Sequence, residues 1–490
     1  MIETLQSALL LFATWQNILV LGVGVIIGTF VGAIPGMTTS MAVALTLPFT
    51  FTLHPVTGIL LLLGVYKGGI YGGSITAILI NAPGTPAASC TLLDGYPLAK
   101  KGEARRALDI ALYASCVADF ISNISLILFA GLLAQLALAF GSPEVFTLIL
   151  FSLTIIAGVS GDQLLKGFGS AALGLILATI GLDLIYGTNR FVFGEVQLMS
   201  GLNFIPVLIG LFALPEIIDY FGRKKLILEH NPLAGVGASF QDFKKCLKTI
   251  IRGSVIGVIL GAIPGIGGAP SAFLSYSEAK RNSKNSKNFG KGEIEGVAAS
   301  ESGNNGVAGA TMIPLLALGI PGDVITAIIL GAFMIHGLRP GPLLFVENLS
   351  IIYALFIGIM LSSIYLLVVG KLSIKLISRI ADIPHSILFP LVLILCVYGA
   401  YAINNTIFDV GVMFMMGFIG FMMLKLEIPA APFLIAFILG PILEDNFRQS
   451  LLLSKGNWNI FFSSNICLLF WFLTFLAISF TIYRTFKTKP

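Results

Sequence analysis

Charged side chains are scarce in this chain. Lys and Arg number 29 and Asp and Glu 24, so only 11% of the 490 residues are charged. A soluble domain carries roughly 25%, and this composition therefore excludes an ordinary soluble surface. Histidine is rarer still, with His54, His230, His336 and His385 far apart, which argues against a metal centre. The five cysteines (Cys90, Cys116, Cys246, Cys396, Cys467) are odd in number and form no CxxC pair, which excludes a disulfide framework and a zinc site. No GxSxG, Walker A, HExxH or dinucleotide fingerprint occurs, so soluble-type catalysis has no support. The chain is expected not to be an enzyme and to need no cofactor. Lacking a nucleotide site, it is not itself an ATP-driven pump, and an ion gradient is the natural alternative. The N-terminus (Met1-Ile2-Glu3) lacks the basic region of a cleavable signal peptide, so the first apolar run is expected to be retained. No nucleic-acid partner is expected.

What is abundant is apolar sequence. Hydrophobic residues make up 56%, with 54 glycines and a mean hydropathy of +0.95. This defines an all-α polytopic membrane protein embedded in a lipid bilayer, in which glycine is more frequent than in soluble helices. Runs near the spanning length of about 20 residues occur at 17–34, 57–80, 107–139, 144–160, 164–182, 201–218, 250–263, 307–334, 350–372, 386–402, 407–425, 428–443 and 460–483. The run 107–139 is long enough to be tilted or broken. About 11–13 transmembrane segments are expected. The longest polar interruptions are Arg223 to Lys248 and Lys280 to Glu295. The first divides the chain into a membrane repeat over 1–222, a cytoplasmic or interfacial linker over 223–248, and a second repeat over 249–490.

A glycine ladder marks both repeats. Gly24, Gly28 and Gly32 lead into Ala33-Ile34-Pro35-Gly36, and Gly253, Gly257 and Gly261 lead into Ala262-Ile263-Pro264-Gly265. A four-residue spacing puts each ladder on one helix stripe, where small residues let a second helix come close. Each helix should then break at its Pro-Gly. A second pair of breaks follows, at Asn81-Ala82-Pro83-Gly84 and at Gly319-Ile320-Pro321-Gly322. Matched interruptions in two halves point to a transporter's substrate site.

Loop charges orient the halves. The loop after the first break is uncharged in half one (Phe51 to Pro55), whereas its counterpart holds Lys280, Arg281, Lys284, Lys287 and Lys291. After the second break the bias reverses, with Lys100, Lys101, Arg105 and Arg106 against Arg339 alone. Basic residues collect on the cytoplasmic side, so the halves read as inverted repeats with interrupted helices or re-entrant hairpins. Residues 98–106, residues 280–291 and the tail with Arg484, Lys487 and Lys489 should be cytoplasmic.

A broken helix exposes backbone groups that only protein or a wet cavity can satisfy. Its free N–H groups attract anions. The expected substrate contacts are therefore Pro35, Gly36, Thr38, Thr39, Asn81, Gly84, Gly265, Gly267, Asn304, Asn305 and Gly322, with Ser40, Gly268, Ser271, Ser74 and Thr76 as weaker candidates. The competing reading is that Pro-Gly merely kinks a packed helix. The densest polar cluster, Ser300 to Gly306, leads into an apolar span. Its Glu301, Ser302 and Asn304 are candidates for ion coupling, with a sodium ion held near Glu301 and Asn305 or a proton carried by Glu301. Alternatively the cluster is a helix cap in a loop. Lys67 lies mid-segment and either attracts an anionic substrate or pairs with Asp119 or Glu301. Asp323 follows the fourth break and can cap a half-helix. Asp183 and Asp409 fall near span ends, where solvation accounts for them.

These residues resemble a known family, the large membrane (permease) subunit of the tripartite tricarboxylate transporters. The resemblance runs through Gly261 to Gly265, Tyr276, Phe289-Gly290, Glu295 to Ala298, Glu301, Asn304-Asn305, Leu318 to Gly322 and His336 to Pro342. Half one adds Tyr71 to Ser74 and Asp94-Gly95-Tyr96-Pro97-Leu98, and the end adds Leu439-Gly440-Pro441 and Asn446 to Ser450. Lys67, Gly303 and Gly306 depart from the pattern. The resemblance implies a multi-pass protein of the bacterial inner membrane. It implies two partners, a small membrane subunit of about four spans and a periplasmic solute-binding protein. It also implies uptake of citrate-like tricarboxylates or dicarboxylates by sodium or proton symport, through an elevator-like or rocking movement. The alternatives are an ion-independent anion channel and an intramembrane lipid-modifying enzyme. The enzyme would need a His or Asp pair at helical spacing, which the sequence lacks.

Overall fold

The computed structural model describes residues 2–159, 164–183, 187–222, 235–380 and 385–487. Residues 223–234 of the expected linker and Lys489 of the basic tail lie outside them. In chain order the first half forms α1 (Ile2–Phe12), α2 (Trp15–Gly32), α3 (Thr39–Thr46), α4 (Pro55–Ile80), α5 (Ala88–Leu98), α6 (Ala104–Ala137), α7 (Ser142–Val159), α8 (Leu164–Ala178) and α9 (Phe204–Gly222). A two-strand hairpin, β1 (Gly181–Leu182) with β2 (Asn189–Arg190), precedes α9. The second half forms α10 (Phe240–Gly261), α11 (Gly268–Asn282), α12 (Ile294–Ala310), α13 (Met312–Leu318), α14 (Val324–Ile335), α15 (Leu344–Glu347), α16 (Leu349–Ile380), α17 (His385–Tyr401), α18 (Ile407–Lys425), α19 (Ala430–Leu453) and α20 (Asn465–Lys487). Six stretches of described helix are long and apolar enough to cross a membrane, α2 and α4 among them. The all-α polytopic expectation is met.

Two expected spans are built differently. The run 307–334 is divided among the end of α12, α13 and α14, with non-helical backbone from Gly319 to Asp323. The run 107–139 is one unbroken helix, α6, and the backbone departs from helical geometry before it, at Gly102 with φ +81°. The half-helices α3, α5 and α11 were too short or too polar to register as spans.

The chain forms two compact units, 1–133 with 216–395 and 134–215 with 396–490. Each proposed repeat contributes its leading part to the first unit and its trailing part to the second. In the second unit α8 packs on α19 and α7 on α19 and α20. Arg190 and Arg448 alternate with Asp183 and Glu444, binding the hairpin to α19, with Arg448–Asp183 at 2.8 Å and Arg190–Glu444 at 2.6 Å. Asp183 is thus paired and buried rather than solvated. Asp409 is likewise buried and accepts from Thr406 and Asn404, each at 2.9 Å.

The first unit is built on two glycine-mediated helix pairs, as the ladders predict. α2 packs along α4, and α10 along α12. At Gly257 a methyl group would stand 2.7 Å from the Gly303 carbonyl oxygen, and at Gly64 one would stand 2.6 Å from that of Leu21. Only glycine allows backbones this close. α4 is buried all round, as a helix apolar on every face should be. α12 is equally buried although it is polar.

The two halves match position by position. Gly36 and Gly265 both adopt left-handed backbone at the first break, with φ +83° and +89°. Asn81 and Gly319 both end their helices left-handed, at φ +56° and +73°. The Ala82 N–H then reaches back to the Thr76 carbonyl (3.4 Å), as Ile320 does to Pro314 (3.2 Å), closing a Schellman-type end in each half. Gly84 packs on Gly73 as Gly322 packs on Thr311. Contacts between the halves follow an inverted pattern, in which α3 meets α14 while its counterpart α11 meets α5, the counterpart of α14. The basic loops come together, Lys101 donating to the Lys291 carbonyl (2.6 Å). At Gly58, just after the uncharged loop, a methyl would stand 2.8 Å from His336 Nε2. The loop after each break of one half thus meets the non-equivalent loop of the other half. At the start of α10, before its apolar part, Ser239 and Asp242 form a capping box. Hydrogen bonding to the Arg106 guanidinium holds the Asp242 carboxyl down at about 2.

Candidate functional site

The four breaks lie in the first unit and are linked in series. The Gly265 N–H donates to the Gly322 carbonyl at 2.7 Å. A methyl at Gly268 would lie 3.5 Å from Ala87 Cβ, and Gly84 sits against Gly32. Half-helices therefore start close together around α4 and α12. Their N-termini are finished differently. Thr38 caps α3 by accepting from Met41 N at 3.2 Å. Asp323 caps α14 in a reciprocal box with Thr326, at 2.7 and 2.8 Å. Thr85 accepts from Ala88 N at the start of α5, at 3.2 Å. α11 begins at Gly267, which has no side chain to contribute.

Glu301 sits one turn before Asn304 and Asn305 on α12, fully buried. Its Oε1 accepts from Ser74 on α4 at 2.6 Å and from Thr91 on α5. Its Oε2 accepts from Ser115 on α6 at 2.9 Å, and Asn305 donates to Ser115 Oγ at 2.8 Å. A carboxylate away from water is costly unless its oxygens are satisfied, and here α4, α5 and α6 each supply a hydroxyl donor while Asn305 of α12 itself adds an amide N–H to Oε2 at 3.4 Å, all neutral. The polar cluster is the middle of a buried helix, so the loop-cap alternative is set aside.

Ser302 is not part of this group. Its hydroxyl faces Gly253 and Ser275, at the junction of α10, α11 and α12. Asn304 faces the α11 start, with its Oδ1 2.6 Å from where a methyl on Gly268 would be. Its Nδ2 is buried with no hydrogen-bond partner, as is Thr39 Oγ1 beside Gly69. Gly36 is exposed and open, whereas Gly84 and Gly322 are buried packing positions and Asn81 is an exposed helix terminator. Pro35, Gly265 and Gly267 line the breaks at intermediate or greater exposure.

Lys67 pairs with Asp119, both buried. Asn123 accepts from Lys67 at 2.7 Å and donates to Asp119 at 3.0 Å, and Ser363 donates to Asp119 at 2.6 Å. The network joins α4, α6 and α16 and pairs the lysine's charge within the fold. Asp323 also receives the Tyr66 hydroxyl at 3.1 Å.

Three contributors escaped sequence reasoning. Thr91 and Ser115 are isolated hydroxyls in apolar helices, and only packing aims them at Glu301. Asp94, noticed within a motif, is fully buried and accepts three backbone N–H groups, of Gly290, Gly292 and Glu293 at 2.8–2.9 Å, and the Tyr276 hydroxyl at 2.8 Å. It pins the basic loop before α12 onto α5.

A buried pair of central helices, flanked by half-helices that start at matched breaks, defines a multi-pass membrane protein with a transporter's interior. Comparison with known proteins agrees. Residues 18–435 match the tripartite tricarboxylate transporter TctA family, and the chain belongs to that family, whose members are the large subunits of such transporters. It is 38% identical over 92% of its length, and 90% of the relative's, to an uncharacterized 52.8 kDa protein in the TAR-I ttuC' 3' region of Agrobacterium vitis. It is 37% identical over 43% of its length, and 87% of the relative's, to an uncharacterized protein in the TAR-II ttuC' 3' region of the same organism. No solved structure matches the chain.

Proposed function

We propose that this chain imports organic carboxylates across the bacterial inner membrane, in a tricarboxylate- or dicarboxylate-dependent symport driven by sodium or protons. It works with a small membrane subunit and a periplasmic solute-binding protein, and it catalyses no chemical reaction. The observation that carries this reading is the meeting of half-helix tips beside Glu301, a buried carboxylate whose partners are all neutral. Helix N-termini suit the anionic substrate. The oxygens of Glu301, Ser74, Thr91, Ser115 and Asn305 suit a hard cation such as sodium, and the carboxylate alone suits a proton. Binding of ion and substrate together would let the site change sides, by an elevator-like movement of one unit. The division of the repeats between two compact units supports that form of movement.

The test is uptake of labelled citrate and succinate into proteoliposomes holding both membrane subunits, with the binding protein outside. Glu301→Gln keeps the shape and removes the charge. Uptake should fall at least about tenfold, equivalent to about 1.4 kcal/mol, and the remainder should ignore the sodium and proton gradients. Unchanged uptake with unchanged ion dependence would refute the role of Glu301. Wild-type flux indifferent to both gradients would favour an anion channel.

A further inference from the structure

We infer that one substrate carboxylate is seated at the N-terminus of α11 against the Asn304 amide, and that the starts of α3 and α14 do not hold it. The inference rests on the carboxylate-import reading and assigns its atoms. Of the four half-helix starts, α11 alone begins at a residue with no side chain, Gly267, whose φ of +67° also favours glycine. No side-chain cap reaches its first turn. The starts of α3, α5 and α14 each receive a side-chain oxygen, from Thr38, Thr85 and Asp323. At α14 that cap is a carboxylate, which repels a second anion. Its two oxygens are turned into Thr326 and Tyr66.

α11 is 15 residues long, so its first turn carries the full effect of the helix dipole. Asn304 supplies the independent observation. It is 4% exposed, its amide lies against the first residue of α11 with Oδ1 as the nearest atom, and the Nδ2 of the same amide has no partner. A buried amide donor left unmade is costly, and a carboxylate oxygen at this place satisfies it. The second oxygen then meets the N–H groups of Gly268 and Ala269. Gly268 takes part through its lack of a side chain, since a methyl there would stand 2.6 Å from Asn304 Oδ1 and push the amide away. The start of α5 closes the same space at Ala87. One turn earlier on α12 stands Glu301, so an occupied seat and the coupling carboxylate share one helix face.

Thermal protection of the purified, intact membrane complex by citrate, with succinate as a second probe, tests this. Asn304→Ala and Gly268→Ala should each raise the half-protecting concentration about tenfold or more, equivalent to about 1.4 kcal/mol. Asn304→Asp, close to isosteric and bearing a like charge, should raise it further. The melting point without ligand should stay near wild type for Asn304→Ala, which removes a donor that has no partner, and this separates lost binding from misfolding. Protection within about twofold of wild type in both Asn304 variants overturns the seat. If neither probe nor any mono-, di- or tricarboxylate protects the wild type, the carboxylate reading itself falls, and the seat with it.

Discussion

At the scale of single residues, the buried charges divide by the company they keep. Lys67 is held by Asp119 and Asn123, so its charge is spent inside the fold. Removing one member of such a pair strands the other and costs about 3–5 kcal/mol, whereas replacing both is often neutral. Lys67→Met should therefore unfold at a distinctly lower temperature, and Lys67→Met with Asp119→Leu should recover most of the loss. Uptake should return with stability in the double variant; a stable double variant with no uptake would mean that Lys67 serves the substrate. Glu301 is different, because hydroxyls and the Asn305 amide satisfy it without neutralising it. Glu301 and the two asparagines stood out in the sequence as polar residues beside an apolar run. Thr91 and Ser115 did not, since a lone hydroxyl in a membrane helix bonds its own backbone as readily as a distant partner.

Elements were legible where glycine spacing and proline breaks dictate backbone geometry. The ladders announced the packing of α2 and α10, and each break falls where Pro-Gly stands. The sequence of α12 allows two readings, an ion-coupling cluster and a helix cap in a loop, because polarity signals a loop unless the groups find partners. Here Glu301, Ser300 and Asn305 do. The close packing has a measurable consequence. Gly257→Ala would force a methyl against backbone of both Gly303 and Gly306, at 2.7 and 2.8 Å. Overpacking of this kind costs about 1–3 kcal/mol, so the melting temperature should drop. Gly411→Ala on α18 has open space around it and should be neutral or gain up to about 1 kcal/mol from helix propensity. Equal melting temperatures for the two variants would show that the ladder is not a packing surface.

For the whole molecule, an inverted arrangement of the repeats dictates which loops share a side of the membrane. Single cysteines introduced by Lys100→Cys and Lys287→Cys, in a chain freed of its own cysteines, should react with a membrane-impermeant thiol reagent only from the cytoplasmic side. Thr52→Cys should react only from the opposite side. Labelling of positions 100 and 287 from opposite sides would refute the inverted arrangement. The sequence alone determined that the chain lives in a bilayer and that it breaks four helices at matched points of its two halves. Those properties follow from composition and Pro-Gly geometry, both of which are written along the chain. Tertiary structure decided which break stays uncapped, which helix lends Glu301 its donors, and that Lys67 is already paired. Each of these depends on side chains far apart in sequence meeting at hydrogen-bond distance, and local sequence carries no record of that meeting.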